Sequence, residues 1–151
     1  MGRLGDELKK YQRILIDTNL FIYLMERHPQ YFQVAREVFE QIEKGQVYGI
    51  TSILVLTEVL TKPLKDNNEN LARSYKAAIS TFPNLSVKNI DNNICITAAE
   101  LRAKYGFKTP DAIFIATAIE EGAEVFITND IRLKNMTEIN CIIISDYLYP
   151  Q

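Results

Sequence analysis

Four acidic residues stand where their carboxylates could meet and do chemistry together. Asp17 ends the apolar run Ile14-Leu15-Ile16, and Asp130 follows Val125-Phe126-Ile127-Thr128-Asn129. Asp111 sits just after Thr109-Pro110, at the second position of an expected helix. Glu58 interrupts the apolar stretch Leu54-Val55-Leu56-Thr57 and Val59-Leu60. If the four converge, their like charges repel unless protons or cations lie between them. A ligand set made of oxygen alone suits the hard ions Mg²⁺ and Mn²⁺, which are typically held by a few carboxylates together with substrate phosphate. Such ions make water a stronger acid and clamp the oxygens of an in-line displacement. The chemistry expected is phosphodiester hydrolysis.

Each acid also has an ordinary explanation. Asp17 and Asp130 suit helix caps or Asx turns, and Asp111 near a helix N-terminus is favoured by the macrodipole. Glu58 could pair with Lys62 four residues on, an arrangement that contributes roughly 0.2–0.5 kcal/mol on an exposed face. The apolar residues around Glu58 argue against a solvated pair, but no single acid decides the matter.

The elements that would position these side chains alternate. A strand over Arg13-Ile14-Leu15-Ile16-Asp17 precedes a helix from Leu20 to Arg27, and Phe32, Ala35, Val38, Phe39 and Ile42 recur at helical spacing within about Gln30 to Lys44. A strand over Val47 to Thr51 leads into a helix capped by Ser52 and ended or kinked at Pro63. Further helices are expected from Asn70 to Phe82, from the Asp91 cap to Tyr105, and from a Thr109 cap with Pro110 at the first position. Strands over Leu85 to Ile90, Glu124 to Thr128 and Cys141 to Ser145 complete the set. Strands alternating with helices, and Ile/Val runs without polar alternation, imply a parallel sheet covered on both faces. In such sheets ligands bind beyond the carboxyl ends of the strands, where Asp17 and Asp130 both stand.

A chain of 151 residues fits one domain. With 47% hydrophobic and 24% charged residues, its composition is that of a globular protein. The net charge of −2 does not by itself suggest nucleic acid. Setting four of the 19 acids aside for a metal leaves 15 against 17 basic residues, which is compatible with RNA without predicting it. Cys95 and Cys141 lie in apolar runs and are expected to be buried and structural. Neither a secretory segment nor an apolar run of spanning length is evident, so a reduced cytoplasmic setting without membrane involvement is expected. Gly-rich phosphate loops, GxGxxG and GxSxG are absent. His28, before Pro29 in an apparent loop, is read as having no role, and the tyrosines as core or half-buried residues rather than a stacking platform.

Taken together, four blocks resemble the PIN-domain family: Ile14-Leu15-Ile16-Asp17-Thr18-Asn19, Thr57-Glu58-Val59, Thr109-Pro110-Asp111-Ala112-Ile113-Phe114-Ile115-Ala116-Thr117-Ala118, and Val125-Phe126-Ile127-Thr128-Asn129-Asp130. The resemblance runs from about Arg13 to Leu148. It implies a three-layer α/β/α fold with a five-stranded parallel sheet of order 3-2-1-4-5, and a Mg²⁺- or Mn²⁺-dependent endoribonuclease. Asp17, Glu58, Asp111 and Asp130 match the family's metal-binding, catalytic acids, with Asn19, Thr128 and Asn129 as supporting residues. The size resembles VapC-type toxins of toxin–antitoxin pairs, which implies an RNA substrate, an antitoxin protein partner and a homodimer. Residues 13–151 would form the nuclease domain, with Met1 to Gln12 as an N-terminal extension that departs from the toxin pattern. Two rival readings remain. One is a PIN-like domain that binds RNA or a partner without cutting. The other is a flavodoxin-like regulatory domain with an acidic pocket, although such a pocket has no use for Glu58 deep in a helix.

Overall fold

The computed structural model describes residues 3–148. Its five strands are β1 (Arg13–Ile16), β2 (Tyr48–Ser52), β3 (Leu85–Lys88), β4 (Val125–Thr128) and β5 (Asn140–Ile143). They form one sheet of order β3-β2-β1-β4-β5 in which every pairing is parallel. Among the described residues, seven α-helices surround it: α1 (Arg3–Leu8), α2 (Thr18–Met25), α3 (Phe32–Glu43), α4 (Leu54–Lys65), α5 (Glu69–Thr81), α6 (Asn92–Tyr105) and α7 (Thr109–Glu120). The architecture is the three-layer α/β/α arrangement that the alternation of elements implies.

Burial follows position in the sheet. Ile14, Leu15 and Ile16 of the central strand, and Val125, Phe126 and Ile127 beside them, are wholly buried, whereas edge strand β3 is half-buried throughout. This is why the inner strands read as unbroken aliphatic runs. Helix α7 crosses β1, β2 and β4, and it buries Ala112, Phe114, Ile115, Ala116 and Ala118.

Several local expectations shift. Helix α7 begins one residue earlier than a Thr109 cap requires, because the Lys108 carbonyl already accepts the Ala112 amide at 3.0 Å. Lys108 is therefore the cap, without a side-chain bond, Pro110 takes the second position and Asp111 the third. Ser52 also lies one residue before the cap of α4, yet its hydroxyl accepts the Leu54 amide at 3.1 Å. Pro63 lies inside α4 rather than ending it. The Asp91 cap is present, accepting the Ile94 amide at 2.9 Å, and Gly106 closes α6 at φ 71°.

Cys95 is exposed, against expectation. On a helix, successive residues turn by about 100°, so Ile94 points inward while Ile96 is 53% exposed, and Cys95 turns away from the core with it. Cys141 is half-buried; its thiol donates to the Leu133 carbonyl at 3.3 Å, and burial pushes it up to about 11. Within the expected N-terminal extension, α1 inserts Leu4 and Leu8, both 0% exposed, against α3 and the 3-10 turn Ile144–Tyr147.

Candidate active site

The register of β1 and β4 builds the centre of the site. Ile16 pairs with Ile127, and the Asp17 amide donates to the Ile127 carbonyl at 3.1 Å, so the two strands end side by side. Asp17 then caps α2. One carboxylate oxygen accepts the Thr18 amide at 2.8 Å and the other accepts the Thr128 hydroxyl at 2.6 Å. The Thr128 oxygen in turn accepts the Asp130 amide at 3.1 Å. Asp17 is only 9% exposed, so it is a buried residue at the strand end rather than part of an open rim. Burial, first of all, raises it to about 6. The Thr128 and Thr18 hydrogen bonds oppose that rise, while the charges of Asp111 and Glu58 add to it.

Glu58 reaches the same place from α4. It accepts the Thr18 hydroxyl at 2.5 Å and makes no ion pair with Lys62, which disposes of the helix-face explanation. Thr18 thus serves two acids at once, with its amide on Asp17 and its hydroxyl on Glu58. Asn19, next to it, is exposed and hydrogen-bonds none of the four acids. Thr18 was legible only as the residue that follows a strand-ending acid.

Asp111 and Asp130 form the second half. Asp111 is half-buried at the start of α7 and is raised, first by burial and then by the charge of Asp130, against the pull of Arg132 and Lys108. Asp130 caps the 3-10 turn Ile131–Leu133 and is lowered, chiefly because the Arg132 guanidinium hydrogen-bonds its carboxylate, with Nε at 2.9 Å. The same guanidinium lies 3.9 Å from Asp111. Arg132, which the sequence reading passed over, therefore stands as a cation between two of the acids; the only signal was a basic residue two positions after Asp130. Asn129 accepts the Ser145 amide at 3.2 Å, as well as the Ser145 hydroxyl, and donates to the Tyr23 hydroxyl at 3.3 Å. It ties the ends of β4 and β5 to α2.

The four acids are thus linked through shared charge: Asp17 with Asp111 and Glu58, and Asp111 with Asp130. Among the described residues, no three acidic, histidine or cysteine side chains close into a metal-ligand cluster as they stand. Local partners hold them instead, Thr18 on Glu58 and Arg132 on Asp130. The donor set still fits a hard divalent ion. It is all oxygen, it comes from four elements, and its buried member, raised first by burial, is raised further by the charges of Asp111 and Glu58, which a cation would offset.

Residues 14–139 match the PIN domain family. The chain belongs to that family. Solved PIN-fold structures superpose on nearly its whole length. VapBC2 from Rickettsia felis, bound to a DNA fragment from its promoter, is 20% identical with a TM-score of 0.71, covering 87% of this chain and 98% of that one. A toxin–antitoxin complex from Klebsiella pneumoniae is 23% identical with a TM-score of 0.68, covering 87% and 97%. VapC20 from Mycobacterium tuberculosis, a toxin that cleaves the sarcin–ricin loop, is 17% identical with a TM-score of 0.66, covering 84% and 98%. At these identities the likeness is one of fold. No curated protein sequence matches the chain.

Proposed function

We propose that this PIN domain is a Mg²⁺- or Mn²⁺-dependent endoribonuclease and that it acts as the toxin of a toxin–antitoxin pair. The observation that carries the reading is the continuous connection Glu58–Thr18–Asp17–Thr128–Asp130 across the carboxyl ends of β1 and β4, with Asp111 and Asp130 in one electrostatic field. Asp17, Glu58, Asp111 and Asp130 would hold the ion. When bound, a divalent cation supplies charge neutralisation at phosphate and Lewis acidity toward water.

The chain's own residues do the rest. Thr128 and Thr18 fix the rotamers of Asp17 and Glu58, so the carboxylates need little reorganisation. Burial around Asp17 excludes bulk water and strengthens every charge interaction there. Arg132, which is exposed, would be free to pair with a phosphate oxygen once a cation took its place at Asp130.

RNA is proposed as the substrate on the strength of family membership and the resemblance to toxins such as VapC20. A small antitoxin is proposed as partner because similar folds occur in VapBC complexes. A homodimer and a cytoplasmic setting belong to the same reading; no helix among the described residues is long and apolar enough to cross a membrane. The PIN match and Glu58's link to the end of β1 argue against the flavodoxin-like alternative. The pairing of Arg132 with Asp130 keeps alive a domain that binds RNA without cutting it. Incubation of the purified chain with single-stranded and structured RNA, with Mg²⁺, Mn²⁺ or EDTA, separates the two. Metal-dependent internal cleavage that disappears in Asp130→Asn supports the nuclease. Intact RNA under every condition overturns it.

A further inference from the structure

We propose that Tyr23, His28 and Tyr31 form a subsite on which a nucleobase of single-stranded RNA stacks beside the scissile phosphate. The proposal rests on the ribonuclease reading and adds to it where the substrate lies.

The three rings meet where α2 turns into α3. Their centroids are 5.0 Å apart for Tyr23 and His28, 4.8 Å for Tyr23 and Tyr31, and 4.9 Å for His28 and Tyr31. The turn that presents them is held by its own backbone: the His28 amide donates to the Tyr23 carbonyl at 3.0 Å, and the Phe32 amide to the His28 carbonyl at 3.0 Å. His28 Nδ1 accepts the Gln30 and Tyr31 amides at 3.1 and 3.2 Å. His28 therefore fixes the turn, and Tyr31 follows rigidly from it. All three residues are half-buried, with part of each open to solvent, unlike the Phe21–Phe39 pair deeper in the same helices, which is buried.

The cluster is joined to the active site. The Tyr23 hydroxyl accepts from Asn129, the residue before Asp130, and hydrogen bonding from Ser145 and then Asn129 lowers Tyr31. Tyr23 thus reaches the residue before Asp130 at the end of β4, and Tyr31, packed against Tyr23, lies on the same side. Arg27, just before His28 and exposed, stacks over Phe32 at 5.4 Å and adds positive charge on this side. Partly exposed rings, a nearby guanidinium and a phosphate-directed site fit the way proteins hold unpaired bases, by stacking on aromatic faces with cationic contacts to the backbone.

The test uses the full chain with Tyr31→Leu, Tyr31→Phe and Tyr31→Trp. Affinity for a fluorescein-labelled single-stranded RNA octamer is read by anisotropy in EDTA, and KM for its cleavage in Mn²⁺. Loss of one stacked base predicts about a 5- to 150-fold weakening in Tyr31→Leu, with Tyr31→Phe near wild type. The chain contains no tryptophan, so Tyr31→Trp supplies a single indole whose emission should be quenched as RNA saturates it. An octamer abasic at one position should lose affinity for wild type and much less for Tyr31→Leu. Wild-type affinity in Tyr31→Leu, or an indole blind to RNA, overturns the subsite while leaving cleavage, and with it the nuclease reading, intact. A Tyr31→Leu chain that holds RNA normally but loses a small protein partner shows a protein-docking face and also overturns it. A wild type that neither binds nor cuts RNA overturns both.

Discussion

Asp17→Asn should stabilise the metal-free protein while abolishing cleavage. The fold buries this carboxylate and raises it from 3.8 to about 6, with burial as the largest cause. At about 1.36 kcal/mol per unit, the native state disfavours the ionised form by about 3 kcal/mol at neutral pH. A group raised in this way is ionised in both folded and unfolded chains above about 6, where the penalty is complete. Below the ordinary carboxylate value it is protonated in both, and the penalty is gone. Wild-type stability attributable to Asp17 therefore rises as pH falls through that window. Asn has no charge to bury and can still accept the Thr18 amide, but the Thr128 hydroxyl loses its acceptor, at roughly 1 kcal/mol. The net gain is about 2 kcal/mol, or about 4–8 °C in melting temperature for a domain of this size. Thermal melts of both proteins in EDTA between pH 3.5 and 8 test it. The advantage of Asp17→Asn should be largest above about pH 6 and vanish toward pH 4. Equal or lower stability of the variant at pH 7.5 would refute the buried-charge argument, and retained RNA cleavage would refute the site.

Glu58→Gln keeps an acceptor for the Thr18 hydroxyl but removes a charge that acts on Asp17; it should raise the metal-free melting temperature and weaken Mn²⁺ binding at least about tenfold by calorimetry, whereas Lys62→Met should change neither. Arg132→Gln removes the cation that a metal must displace from Asp130, so Mn²⁺ should bind more tightly and raise the melting temperature further than in wild type, and an unchanged dissociation constant would show that Arg132 does not compete. Leu8→Ala empties a fully buried position between α1 and the core and should cost about 2–5 kcal/mol in denaturant melts; a loss under about 0.5 kcal/mol would mean that α1 is not part of the folded unit.

The fold was legible in the sequence because its informative segments are the ones burial constrains most. Ile14 to Ile16 and Val125 to Ile127 are apolar at every position because helices cover both faces of the sheet there. The ends of elements were less legible. The Thr109 cap failed by one residue because a carbonyl, which every residue carries, decides where α7 starts. Met1 to Gln12 read as a polar extension because Leu4 and Leu8 are its only aliphatic residues beyond Met1, too few to show a helical period. At the candidate site the acids could be named from type and position: Asp17 and Asp130 follow strands, Glu58 interrupts an apolar stretch and Asp111 opens a helix. Thr18 and Arg132 could not, because their part depends on which side chain each reaches: Glu58 from Thr18, 40 positions on, and Asp111 and Asp130 from Arg132. The ring cluster was hidden for the same reason, with Tyr23 on a helix and His28 and Tyr31 in a turn.

The strand order has a consequence for synthesis. β1 is the first strand made, yet its neighbour β4 and the outer strand β5 are made last, and Thr128, which holds the Asp17 carboxylate, comes with β4. A nascent chain that has emerged only through α7 already carries Asp17, Glu58 and Asp111, and β2 on one side of β1, but it has neither β4 on the other side nor Asp130. Competence to cut would therefore arise late in translation, once residues through β5 can pair. For a protein read as cutting RNA, that delay would keep the growing polypeptide inert beside the very RNA and ribosome that are making it.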